Sequence, residues 1–130
     1  MAKKILIVDN DEDFTKPLAD NLVKNEYEVV VAEDSQKALE MFDSAKPDLV
    51  MSEVMLEHND SGFALCYHLK QKNPDVPILL VSDVVRKTGF CFDASTDYEK
   101  EWIKADEFIN KPVNSAYLTC VIGKYLHHKK

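Results

Sequence analysis

Five short apolar runs, with helical patterns filling most of the gaps between them, leave this chain few folds to choose from. Ile5–Val8, Val29–Ala32, Leu49–Met51 and Ile78–Val81 are continuous rather than alternating. That is the pattern of parallel strands covered on both faces. Phe108–Ile109 is a weaker fifth run, placed just before Lys111-Pro112. Strand alternating with helix implies a parallel sheet built from right-handed crossovers, the α/β class.

The gaps carry amphipathic stretches. Phe14, Leu18 and Leu22 are spaced by four and predict a helix before a turn at Asn25–Tyr27. Pro17 inside that stretch removes a backbone donor, so the helix is expected to start late, near Thr15, or to kink. Ala38, Leu39, Phe42 and Ala45 form a second stripe, with Asp34 or Ser35 as N-cap. Phe63, Cys66 and Leu69 form a third, ending near Asn73-Pro74. Leu118, Val121, Ile122 and Tyr125 form the last, capped by Asn114 or Ser115. The stretch from Val84 to Asp106 breaks the rhythm. It holds Phe90, Phe92, Tyr98 and Trp102, which pack over the sheet edge or form a docking patch, and only Tyr98 to Lys104 has helical composition.

At 130 residues with no internal repeat or linker, the expectation is a single domain over residues 1–130. A net charge of −7 argues against nucleic acid or an anionic membrane as direct partner. No run approaches the length of a bilayer span and no export segment is visible, so a cytoplasmic protein is expected. Cys66, Cys91 and Cys120 show no metal or redox spacing and are expected as reduced thiols. Cys66 and Cys120 are placed on the buried faces of their helices.

In open α/β sheets the chemistry gathers beyond the carboxyl ends of the strands. The first strand exits into Asp9-Asn10-Asp11, the third into Ser52-Glu53, the fourth into Ser82-Asp83 and the fifth into Asn110-Lys111-Pro112. Acids on one wall suit a hard cation such as Mg²⁺. A lysine and a hydroxyl opposite them suit a phosphoryl group. The plainer reading of Asp11–Asp13 is a helix N-terminus, which favours acids in any case. Lys111 read plainly is surface charge, Ser82 a strand cap, and Phe108 a core residue.

The motifs ILIVDND, PDLVMSEVML, PILLVS and FINKP, in that order and spacing, resemble the receiver domain of two-component response regulators. The resemblance covers nearly the whole chain and departs between Ser82 and Phe108, where this sequence is longer. It implies a doubly wound five-stranded parallel sheet of flavodoxin-like (β/α)₅ topology, order 2-1-3-4-5, altered around the family's fourth helix. It also implies a signalling protein rather than an enzyme, with a sensor histidine kinase or a downstream target as partner; 130 residues are expected to leave no room for an output domain.

By position the resemblance makes Asp9 the first acid of the metal pair, Ser82 the phosphoryl-contacting hydroxyl, Phe108 the switch aromatic and Lys111 the lysine. Mg²⁺ would be held by Asp9, Asn10, Glu53 and the Met55 backbone carbonyl. Two positions depart from the pattern. Asn10 stands where the second acid belongs, and Glu53 where the phosphoacceptor aspartate belongs. Glu57 also replaces a usual proline, and Asp83 a usual small residue. The longer Glu53 side chain moves its oxygens by about 1.5 Å, one carbon–carbon bond. A misplacement of about 1 Å can cost about a hundredfold where in-line geometry matters. Asn10 removes a charge from the cation site, although Asp11 could substitute through a water. A degenerate receiver is the expectation, with Mg²⁺ binding weakened or lost and Glu53 reaching toward Lys111. The alternative is a receiver that still takes phosphate from a histidine kinase onto Glu53 with Mg²⁺. With three glycines and no phosphate loop, a nucleotide binder is disfavoured. An aspartyl-phosphate type of phosphatase would lack its nucleophile at Glu53.

Overall fold

A computed structural model describes residues 2–56, 61–83 and 105–127. The elements run β1 (Lys4–Val8), α1 (Glu12–Lys24), β2 (Glu28–Ala32), α2 (Ser35–Ala45), β3 (Leu49–Ser52), α3 (Ser61–Lys72), β4 (Ile78–Ser82), β5 (Glu107–Asn110) and α4 (Ser115–His127). All pairings are parallel, and the sheet order is β2-β1-β3-β4-β5. Each apolar run became a strand, extended by a residue or two at its ends.

The runs are continuous because both faces of the sheet are covered. Leu6, Val8, Val50, Ile78 and Leu80 point to one side and pack with Ala38, Phe42, Leu65, Cys66 and Leu69 of α2 and α3. Ile5, Ile7, Leu49, Met51, Leu79, Val81 and Ile109 point to the other and pack with Leu18, Leu22, Leu118, Val121 and Ile122 of α1 and α4. The period of two splits one run between two cores. β2 is the exception: as an edge strand it leaves Val31 exposed.

The caps follow the chemistry expected of short oxygen-bearing side chains. Asp11 accepts from the Asp13 N–H at 3.0 Å, Asp34 from the Lys37 N–H at 2.8 Å, and Asn114 from the Tyr117 N–H at 2.7 Å. α1 does not begin at Thr15. It starts at Glu12 and runs through Pro17, because the Asp11 cap fixes its first turn before the proline is reached.

Cys66 is buried, as expected, but Cys120 is exposed. At about 100° per residue, position 120 lies roughly opposite the stripe formed by Leu118, Val121, Ile122 and Tyr125. The expectations for Glu57, Phe90, Phe92 and Tyr98 to Lys104 fall outside the described residues, as does Cys91. Among the described residues, no helix is long and apolar enough to cross a membrane.

Candidate functional site

Three neighbouring strands deliver Asp9, Glu53 and Ser82 at one end of the sheet; β1 and β3 stop in register, and β4 runs two residues past Leu80, the partner of Ser52, to Ser82. The register Val8↔Ser52 leaves Asp9 and Glu53 as the next residues of adjacent strands. The Glu53 N–H still bonds the Val8 carbonyl at 2.8 Å, so the pairing persists to the rim of the site. β4 brings Ser82 in at its own last position. On the far side, the Lys111 N–H bonds the Ser82 carbonyl at 2.8 Å and anchors the lysine backbone at the exit of β5. The Lys111-Pro112 peptide is cis.

The side chains converge. Lys111 Nζ lies 2.9 Å from Asp9 Oδ2 and 3.0 Å from Glu53 Oε1. The other Glu53 oxygen, Oε2, accepts from the Ser82 hydroxyl in a short hydrogen bond and from the Met55 N–H at 2.9 Å. Asp9 Oδ1 accepts from the Asp11 N–H at 3.0 Å. Side-chain exposures of 3% for Asp9, 6% for Glu53 and 13% for Lys111 make this a nearly dry cluster. Charges so placed must be paired, since an unpaired one would bear its full desolvation cost.

Burial is the strongest influence on Asp9 and lifts its carboxyl above the ordinary range, although Lys111 pulls in the opposite direction. For Lys111 burial pulls the ammonium down, but its bonds and charge attraction to Asp9 and Glu53 together outweigh that and raise it. The lysine is therefore held charged.

The loop after Glu53 is fastened from the backbone. The Gly62 N–H donates to the Val54 carbonyl at 2.7 Å, and a side chain at position 62 would collide with the backbone of Glu53 and Val54. The Ser52 hydroxyl donates to the Glu53 carbonyl at 2.9 Å. Both contacts limit where the Glu53 side chain can start from.

Asp9, Glu53, Ser82 and Lys111 are thus brought together. Asn10 is exposed, and Asp11 spends a carboxylate oxygen on capping α1. Met55 meets the cluster through its N–H. Phe108 is half-buried and packs against the core shared with α2 and α3. Asp83, next in sequence after Ser82, is buried. Among the described residues, no group of three or more His, Cys, Asp or Glu side chains is arranged to hold a metal ion.

Sequence reasoning missed Phe14, whose ring centroid lies 4.2 Å from Lys111 Nζ. The available signal was its place one helical turn beyond Asp9-Asn10-Asp11, but its apolar spacing assigned it only to the core stripe. The Met55 N–H was missed because backbone donors leave no mark in a sequence.

Residues 5–122 match the family model of the response regulator receiver domain. The chain is 35% identical over 112 residues to the alkaline phosphatase synthesis transcriptional regulatory protein PhoP of Bacillus subtilis, covering 86% of this chain and 43% of that protein. It is 32% identical over 114 residues to the response regulator MprA of Mycolicibacterium vanbaalenii, covering 86% of this chain and 45% of that one. The chain therefore spans less than half the length of these relatives. Among solved structures, a CheY-like receiver domain protein from Methanospirillum hungatei superposes with a TM-score of 0.80 at 22% identity, covering 98% and 95% of the two chains. The non-phosphorylated HemR receiver domain of Leptospira biflexa gives 0.79 at 23% identity, covering 98% and 97%. At those identities the two structures bear on the fold alone, which is the same doubly wound sheet.

Proposed function

The chain belongs to the response regulator receiver family of two-component signalling, and from that premise we propose that it is a degenerate receiver. It would act by binding a partner protein, with Glu53 standing permanently where a transferred phosphoryl group would be held. One observation carries this reading. The two Glu53 oxygens already accept from the Lys111 ammonium, the Ser82 hydroxyl and the Met55 N–H. By the family pattern, the lysine and the hydroxyl are groups that would contact a phosphoryl. The carboxylate supplies one negative charge against a net −1.5 to −2 for a phosphorylated side chain, so it satisfies these donors only in part.

The same bonds oppose phosphotransfer. A carboxylate attacks through an oxygen lone pair aimed at phosphorus. Here one oxygen is turned to an ammonium and the other to two donors, inside a largely buried cluster. To react, Glu53 would have to break those bonds and swing one methylene further than an aspartate would.

Receiver domains typically hold Mg²⁺ in the acidic pocket, and the donor set here fits that ion poorly. Mg²⁺ asks for one or two carboxylates together with waters and phosphate oxygens, in strict octahedral geometry. Both candidate carboxylates are committed to Lys111, Asn10 brings no charge, and Asp11 is occupied as a cap.

In this reading residues 1–130 act as one receiver unit, a binding module rather than an enzyme. The partner is a sensor histidine kinase or a downstream target protein, met in the cytoplasm through the surface formed by the last helix–strand units. The net charge of −7 favours a protein surface over nucleic acid or anionic lipid.

The test is intact-mass measurement after incubation with acetyl phosphate and Mg²⁺. The wild type is expected to stay unmodified, and the double variant Glu53→Asp with Asn10→Asp to gain one phosphoryl group. A one-phosphoryl gain on the wild type would instead establish a phosphorylation-competent receiver using Glu53.

A further inference from the structure

We infer that Phe14 is a positioning residue of the Glu53–Lys111 pair: its ring closes the side of the Lys111 ammonium that the two carboxylates leave open. The inference rests on the reading of that pair given above. An ammonium has three N–H donors. Among the described residues, two carboxylate oxygens, at 2.9 and 3.0 Å, take two of them and leave one direction unfilled. The Phe14 ring centroid lies 4.2 Å from the nitrogen, well inside the range in which the negative face of an aromatic ring attracts a cation.

The placement follows from the local chain. Asp9 follows directly after β1 and gives Lys111 one of its two carboxylates. Asp11 caps α1, and the Phe14 N–H bonds the Asp11 carbonyl at 3.1 Å, which fixes the ring's backbone in the first turn. The ring packs against the core under α1 and α4. One six-residue stretch thus supplies both a carboxylate and a π face to the same ammonium.

The ring also guards against a competing arrangement. Phe14 and Lys111 line a cavity of about 280 Å³ together with three further acidic residues, Asp11, Asp13 and Asp83. With the ring removed, water and those acids would compete with Glu53 for the lysine. Phe14 therefore favours the inward position of Lys111 against an outward one.

The test reads the Lys111 ammonium directly, by ¹H–¹⁵N spectra of the lysine side chains in the full chain. In the wild type its Nζ protons should exchange slowly with water and be displaced upfield by the ring. Phe14→Leu should abolish the displacement and speed exchange by roughly two- to thirtyfold, the Boltzmann factor of a cation–π contact. Phe14→Tyr should restore both.

A series of fluorinated phenylalanines at position 14 drains charge from the ring face at near-constant shape, so it answers the same question even if Phe14→Leu fails to fold. Exchange should rise with each added fluorine. Lys111 exchange that ignores the fluorine series would overturn the inference. Glu53→Gln in the same assay separates the two ideas. If it speeds exchange while the ring variants do not, only the role of Phe14 falls; if neither matters, the reading of the pair falls as well.

Discussion

Gly62 presses against the backbone of Glu53. A Cβ on residue 62 would overlap the Glu53 carbonyl oxygen and come within 2.6 Å of the Val54 Cα. These are backbone atoms, which cannot rotate aside as a long side chain would. Gly62→Ala is therefore expected to destabilise the chain by about 1–3 kcal/mol, the usual cost of overpacking. It should also shift the amide resonances of Glu53 and Met55. Urea denaturation and ¹H–¹⁵N spectra check both, and an alanine accepted without either change would show that the loop has slack.

Lys111→Met should be among the most damaging single changes at the site. It strands the Asp9 and Glu53 carboxylates, both almost fully buried, without a counter-charge. Removing one partner of a buried pair costs about 3–5 kcal/mol. Pairing Lys111→Met with Glu53→Gln should recover part of that loss, because the second change removes one of the stranded charges. A double-mutant cycle by chemical denaturation measures the coupling; strict additivity would mean that the two side chains do not interact in solution.

The carboxyl of Asp9 is raised, so the native state binds that proton more tightly than the unfolded chain just above the ordinary carboxylate value of about 3.9. Across that interval its contribution to stability falls as pH rises and returns as pH drops. Asp9→Asn should thus gain on the wild type as pH is brought from about 4 toward 7. Lys111 is raised too. Its contribution is complete below the unfolded lysine value of about 10.4 and is lost as pH climbs through the higher folded value. Denaturation of the wild type, Asp9→Asn and Lys111→Met at several pH values tests both signs.

The thiol of Cys66 is pushed up to about 12, chiefly by burial, whereas Cys120 is exposed. A thiolate-directed reagent at pH 8 should modify Cys120 promptly and leave Cys66 untouched until the chain unfolds. Peptide mapping by mass spectrometry distinguishes the two sites.

The fold was legible because its determinants are local. Apolar runs such as Ile78–Val81 need only be read for continuity, and the cap at Asp34 for its position before a stripe. The site was legible where strand exits carry distinctive residues, since Asp9, Glu53, Ser82 and Lys111 all stand at such exits. What stayed hidden depends on direction rather than identity. Asp9 holds Lys111 as well as Glu53, whereas the expectation had Glu53 alone reaching toward the lysine. Pro17 was overweighted, since the Asp11 cap completes the first turn of α1 ahead of it. Cys120 is exposed because its angle around α4 turns it away from the stripe of Leu118, Val121, Ile122 and Tyr125.

The central claim is that the Glu53 carboxylate already occupies the donors that would hold a phosphoryl group. Titration of the ¹⁵N-labelled chain with Mg²⁺ and beryllofluoride, a phosphoryl analogue, tests it most directly. The amide signals of Ser82, Lys111 and Met55 are expected to stay fixed in the wild type and to shift in the Glu53→Asp, Asn10→Asp variant. Saturable shifts of those three signals in the wild type would contradict the claim.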